Sequence, residues 1–247
     1  MNRREKMKNN KTIVVISIDA LHPDAIEMAK PENIMKVMSK GVSTLKGTSV
    51  APPKTLINHT AMVLGKMPEE SGYTVNAWQY GMPKAKGESV FTLAKKAGLK
   101  TIYVYSKGLL GFLSTDDVDE SYFAGMDSLE KGCRIIAETE EDYFLFLHIS
   151  GLEFVGMEYG WLSDEYLALF NGIDAGLKDA LNQLTEKSNT TLIITSDHSG
   201  HDMIHGSNHP EDFKMPLIIY SDMADFSEYN DAPYKTVELK NLISKVL

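Results

Sequence analysis

The sequence predicts an α/β fold, with a mostly parallel central sheet and helices on both faces. Three observations carry this. Five short apolar runs rich in β-branched and aromatic residues, TIVVISI, TIYVY, YFLFLHI, TLIIT and PLIIY, read as strands covered on both sides. Segments of helical period lie between them, which is the pattern of βαβ units. No repeat, low-complexity linker or composition shift marks a boundary, so the 247 residues read as a single compact domain.

In order along the chain, residues 1–10 form a basic tail, expected to be flexible, ahead of a domain over residues 11–247. Thr12–Ile18 is the first strand. Residues 24–39 are helical with a break at Pro31, because a proline inside a helix removes a hydrogen bond and clashes with the preceding turn. Helices follow at residues 56–65 and 90–97, then a strand at 101–105, a helix at Ser128–Glu138 and a strand at Tyr143–Ile149. The clearest helix covers residues 164–187. It puts Tyr166, Phe170, Ile173, Leu177, Leu181 and Leu184 on one stripe, with Ser163 as N-cap and an acidic first turn. Strands at 191–195 and 216–220 and a helix at 237–246 complete the pattern.

Hydrophobic content of 43% permits a sizeable core, and a formal charge of -9 argues against general nucleic-acid or anionic-membrane binding. An anionic substrate stays open, because a bound divalent ion reverses the local field. The one cysteine, Cys133, has no internal partner for a disulfide and reads as a small core residue. The basic N-terminus lacks a cleavage signal, and no apolar run reaches the ~18 residues a membrane span needs, so a cytoplasmic protein is expected.

Ligands of open α/β sheets bind at the carboxyl ends of the strands. Asp19 follows TIVVISI, Glu153 comes shortly after YFLFLHI, and Asp197 and His198 follow TLIIT. Any one of these fits a solvated loop. The stretch ITSDHSGHDMIHGSNHPED, however, adds His198, His201, His205 and His209, four of the seven histidines, and the set together points to a metal centre. Carboxylates with imidazoles suit zinc, and carboxylate-richer sets suit manganese or magnesium. Thr55 sits where Pro52-Pro53 meets a helix, in positive potential beside free backbone N–H groups. That place suits a nucleophile toward a phosphate or sulfate ester, and it equally suits an ordinary N-cap. YTVNAWQY, residues 73–80, offers aromatic faces for a substrate wall or for core packing. The sequence has no G-x-G-x-x-G, complete Walker loop or G-x-S-x-G elbow.

From residue 13 to residue 221 these motifs resemble, in order, the alkaline phosphatase superfamily and within it the type I phosphodiesterase/nucleotide pyrophosphatase branch. VVISIDALHPDAI is similar to the first strand with its metal Asp, and PPKTLINHTAMVLGKMPEESGYTVN to the nucleophile segment. GLEFVGMEYGWLSDEYL is similar to the middle metal loop, and LIITSDHSGHDMIHGSNHPEDFKMPLII to the last metal loops. The resemblance implies an alkaline phosphatase-like fold with little or no cap, since the chain is short for the branch. It implies a metal-dependent phosphoric ester hydrolase acting on a small phosphate-ester or nucleotide-like substrate. Thr55 would be the nucleophile, passing through a covalent phospho-threonine, and Asn58 a donor to a non-bridging oxygen. Two divalent ions are implied, zinc first and manganese or magnesium as alternatives. One is held by Asp19, Asp197 and His198 and contacts Thr55; the other is held by Glu153 and His205. His59 matches a structural position, His148 reads as core, and His201 and His209 receive no role.

One departure matters. The branch places a His four residues after the middle-loop Asp, whereas this chain has Glu153 and Met157. A thioether is a poor ligand for zinc, manganese or magnesium, so the second site is expected to be weakened. A catalytically weakened relative acting as a binding protein is therefore the alternative.

Overall fold

In a computed structural model describing residues 10–247, the apolar runs pair into one eight-stranded sheet. The basic tail expected at residues 1–10 lies, apart from Asn10, outside the described residues. The strands are β1 (Thr12–Ile18), β2 (Val42–Thr48), β3 (Lys100–Tyr105), β4 (Glu120–Phe123), β5 (Tyr143–Ile149), β6 (Thr190–Thr195), β7 (Lys214–Ser221) and β8 (Tyr234–Lys235). Their order across the sheet is β4-β3-β5-β1-β6-β7-β2-β8.

From β4 to β6 all neighbours are parallel, while β7 runs antiparallel to both β6 and β2. The run PLIIY is therefore a strand, but the one that opposes the rest. Antiparallel neighbours need no crossover helix, and the histidine-rich loop serves as the link from β6. Three strands carried no expectation. β2 (VSTLKGT), β4 (ESYF) and β8 are polar, short or half-exposed, so they show no continuous apolar run.

Successive side chains of a strand face opposite ways, and β1, buried throughout, divides accordingly. Val14, Ile16 and Ile18 pack with helices Asp24–Ala29, Glu32–Lys40, Ser128–Glu138 and Asp164–Glu186. Ile13 and Val15 pack on the other face with helices Thr55–Leu64, Val90–Lys96 and Leu239–Ser244. The first two helices of the chain separate at Lys30 and Pro31, with Lys30 in the left-handed region. The middle-loop segment is itself a helix, Leu152–Tyr159. Truncating a wholly buried branched side chain in such a core costs about 2–5 kcal/mol, which makes the sheet a rigid base for its loops. No helix among the described residues is long and apolar enough to cross a membrane.

Register decides where the loops emerge. Ile18 lies opposite Ile149, Ser17 opposite Thr195, and Val104 opposite Leu147. The residues leaving β1, β3, β5 and β6 therefore appear side by side along one edge.

Candidate active site

Asp19, Asp197 and His198 are all 0% exposed at that edge. The loops after β1 and β6 are joined by backbone donors: the Ala20 N–H reaches Asp197 Oδ1 at 3.0 Å and the Leu21 N–H reaches Ser196 Oγ at 2.9 Å. The Nδ1 of His198 donates to the Ser199 carbonyl at 2.9 Å, which leaves Nε2 as the lone-pair nitrogen. That nitrogen stands 3.4 Å from Asp197 Oδ2 and 3.9 Å from Asp19 Oδ1. Burial lowers the His198 pKa, keeping the imidazole neutral as ligation requires.

Thr55 is the first residue of its helix. Lys54 takes the N-cap position without a side-chain hydrogen bond, so the threonine hydroxyl is not spent on capping. Thr55 is 3% exposed, and its Oγ1 lies 3.1 Å from Lys107 Nζ and 3.4 Å from His198 Nε2. His59 braces this turn from beneath: its Nδ1 donates to the Thr55 carbonyl at 2.8 Å and its Nε2 accepts from Ser17 Oγ at 3.0 Å. His148 is buried within β5, with Nδ1 2.6 Å from Ser106 Oγ and an unpartnered Nε2 3.9 Å from Asp19 Oδ1.

Asn58 requires a correction. Its Oδ1 accepts from the Val50 N–H at 2.7 Å, and its Nδ2 faces the Val50, Pro52 and Lys54 carbonyls at 3.3 Å each. The amide is 0% exposed and fully engaged in holding the Pro52-Pro53 turn, so it presents no donor to a substrate. Asn76 stands nearer the chemistry: its Oδ1 accepts from the Leu56 N–H at 2.8 Å, beside Thr55. It was hidden in YTVNAWQY behind more conspicuous aromatics. Those aromatics part company, since Trp78 packs against Gly111 and donates to the Pro83 carbonyl at 3.0 Å, whereas Tyr80 is 99% exposed.

The other expected ligands gather less well. Glu153, in the first turn of its helix, places Oε1 3.4 Å from His205 Nε2, and the His205 ring stacks on His198 at 4.7 Å. Met157, one turn further on, is 38% exposed. His201 and His209 stack at 3.8 Å, and His201 bonds Asp212 Oδ1 at 2.6 Å, bracing the loop that carries His205.

Between the two sets lies a residue that carried no sequence expectation. Lys107 Nζ is 2.6 Å from Asp19 Oδ2, and it also pairs with Glu153 Oε2. The signal was present: Lys107 follows the carboxyl end of β3, by the same strand-end rule that singled out Asp19. Burial works to lower the Lys107 pKa, but Asp19, Glu153 and Asp197 together raise it. Burial likewise opposes ionisation of Glu153, yet His205 and Lys107 hold its carboxyl at about 2. Asp19 is raised well above the ordinary range, chiefly by burial and against the pull of Lys107, with Asp197 and Glu153 adding to the rise.

Asp19 Oδ1 and Asp197 Oδ2 are buried without a hydrogen-bond partner. A buried carboxylate oxygen left unpaired is costly, and with the His198 lone pair and Thr55 Oγ1 these atoms form a donor set that fits a divalent cation. The second ion expected at Glu153 and His205 does not fit in the same way. Among the described residues only Glu153 and His205 of the expected second-site ligands come together, Met157 is 38% exposed, and an ammonium already sits on Glu153. Glu153 Oε2 also lies 3.9 Å from His198 Nε2 and so groups with Asp19 and His198 as well.

A mostly parallel sheet with acids, imidazoles and a threonine at its carboxyl edge defines a member of the alkaline phosphatase superfamily. The chain belongs to the type I phosphodiesterase/nucleotide pyrophosphatase family, which it matches over residues 13–216. It is 24% identical over 216 residues to GPI ethanolamine phosphate transferase 1 of Emericella nidulans, covering 75% of this chain and 22% of that protein. To the protein of the same name in Aspergillus fumigatus it is 23% identical over 240 residues, covering 86% and 23%. The chain thus spans less than a quarter of the length of these relatives. Among solved structures, murine ectonucleotide pyrophosphatase/phosphodiesterase 5, in an inactive threonine-to-alanine form in complex with AMP, superposes with a TM-score of 0.78 at 13% identity, covering 96% of this chain and 95% of that one. A 2-O GAG sulfatase superposes with a TM-score of 0.70 at 12% identity, covering 96% and 70%. Both share the fold.

Proposed function

We propose that this chain is a metal-dependent phosphoric ester hydrolase or transferase with Thr55 as its nucleophile. One observation carries this reading: Thr55 Oγ1 stands 3.4 Å from His198 Nε2, in a site where Asp19 and Asp197 each keep a buried, partnerless oxygen. Asp19, Asp197, His198 and Thr55 would hold the divalent ion, whose chemistry is to lower the pKa of a hydroxyl and neutralise charge on the ester.

The chain's own residues supply the rest. His59 and the Asn58-held turn fix the threonine at the start of its helix, where the backbone potential favours an anion. Thr55 Oγ1 forms the bond to phosphorus, and the ester's alcohol leaves with the proton that Thr55 gives up. Water then releases the phosphoryl group from the phospho-threonine, or a second alcohol accepts it. Hydrolase and transferase share the first step and differ in that acceptor. The names of the fungal ethanolamine phosphate transferases and the AMP complex of the murine protein support a small phosphate-ester or nucleotide-like substrate.

The test is a panel of aryl phosphodiesters, phosphomonoesters and sulfate esters with zinc, manganese or magnesium. Metal-dependent turnover is expected, falling about 10⁴-fold or more in Thr55→Ala. Turnover that survives this substitution overturns the nucleophile assignment. A second reading, a binding protein without turnover, is favoured by the exposed Met157; metal-dependent binding of AMP without hydrolysis selects it.

A further inference from the structure

The residue between the two carboxylate sets is placed there by its neighbours. Ser106, anchored at 2.6 Å to His148 Nδ1, pins the chain as it leaves β3, and Lys107 follows as the N-cap of the turn Gly108–Leu113. Its side chain is 13% exposed. An ammonium has three N–H donors, and here three acceptors meet it: Asp19 Oδ2 at 2.6 Å, Thr55 Oγ1 at 3.1 Å, and Glu153 Oε2. The group donates to Thr55 and Glu153 and forms an ion pair with Asp19, so it bridges one carboxylate from each expected metal site to the nucleophile.

Charge gives the reason. With a divalent ion bound, which keeps the Asp19 carboxyl ionised, Asp19, Asp197 and Glu153 bring three negative charges into one buried space. One divalent ion and one ammonium cancel them. Two divalent ions beside the same lysine would leave a net charge of plus two buried with neutral imidazoles, and uncompensated buried charge is strongly unfavourable.

We propose that Lys107 is the second cation of this centre, its ammonium taking the charge role of a second ion, so that the chain binds a single divalent ion at Asp19, Asp197 and His198. For its chemistry the assignment rests on the phosphoester reading; the ion count stands apart from it. Lys107 holds the Thr55 hydroxyl and sets a fixed positive charge beside the oxygen that reacts. Lysine suits this as a compact point charge on a long stem that lines the pocket wall.

Zinc or manganese per chain is counted by elemental analysis after dialysis, and titration calorimetry with the same metal reads the binding events. The wild type is expected to hold one ion. The double variant Lys107→Ala/Met157→His, which frees Glu153 and His205 and adds a third ligand, is expected to hold two. Lys107→Met keeps one ion but lowers ester turnover about 10²–10³-fold, the usual cost of removing one fixed stabiliser of developing charge. A wild type with two ions or none overturns the proposal. So does a double variant that stays at one or, where the wild type turns over ester, unchanged turnover in Lys107→Met. A wild type that carries one ion and turns over no ester strikes the phosphoester reading instead and leaves the assignment of the second cation standing.

Discussion

The two candidate ligand sets of this site are carried on different kinds of scaffold. Asp19, Asp197 and His198 leave β1 and β6, adjacent central strands, and all are 0% exposed. Glu153 and Met157 lie on a short helix and His205 on a loop, with exposures of 9% and 38% for the first two. Ladder hydrogen bonds tie β1 to β6 residue by residue, and the Ala20 N–H locks their loops together, so the first set has one geometry. The second set depends on a helix that starts at a left-handed glycine, Gly151, and on a loop braced by His201 and Asp212. A methionine at position 157 does not disturb the sheet, because the side chain is 38% exposed on that short helix.

The largest effect belongs to the rigid set. Asp197→Asn removes a charge and a proposed ligand from the place where Ala20 and His198 converge. Metal affinity, read by calorimetry, is expected to fall by more than the roughly 100-fold that marks the upper range for residues one shell further out. Wild-type affinity in that variant would break the contrast between the two sets.

An intermediate effect concerns acid. Burial, the largest influence, lowers the His148 pKa well below its ordinary value of 6.5. The unfolded chain therefore takes up a proton near that pH which the folded chain refuses. Stability is full above this value and is lost as the pH falls below it, by up to about 1.4 kcal/mol per pH unit for one such group. Denaturant titrations at about pH 7.5 and about pH 5.5 measure the slope. His148→Gln is expected to lessen it, the buried His59 and His198 supplying the remainder, and equal slopes would remove His148 as a source of acid lability.

The smallest effect sharpens the other side of the comparison. Met157→Leu is expected to change stability by less than about 0.5 kcal/mol and leave ion affinity as it was. A tenfold loss of affinity would bring the thioether into the centre after all.

Much of this was legible beforehand, for local reasons. β1, β3, β5 and β6 announce themselves as apolar runs, Asp19 stands directly after β1, and Asp197 and His198 follow β6 beyond one serine. β2 was not legible, because only two of its seven positions are buried and its sequence, VSTLKGT, is mostly polar. Asn58 was misassigned because spacing along a helix tells how far an amide lies from Thr55, not which way it points. Its neighbours Val50 and Pro52, from the incoming turn, decided that. Lys107 went unremarked because S-K-G after a strand reads as an ordinary turn.

By itself the sequence determined the elements and their alternation, since burial period and turn chemistry are properties of a few adjacent residues. It also pointed to the family, through motifs that keep their order from residue 13 to residue 221, and the family match over residues 13–216 agrees. Only the tertiary structure decided which polar groups share a space. Asp19, Lys107 and Glu153 lie far apart in the chain and meet because β1, β3 and β5 are in parallel register. The charge balance of a buried site is a sum over everything within a few ångströms, and no local stretch of sequence contains that sum.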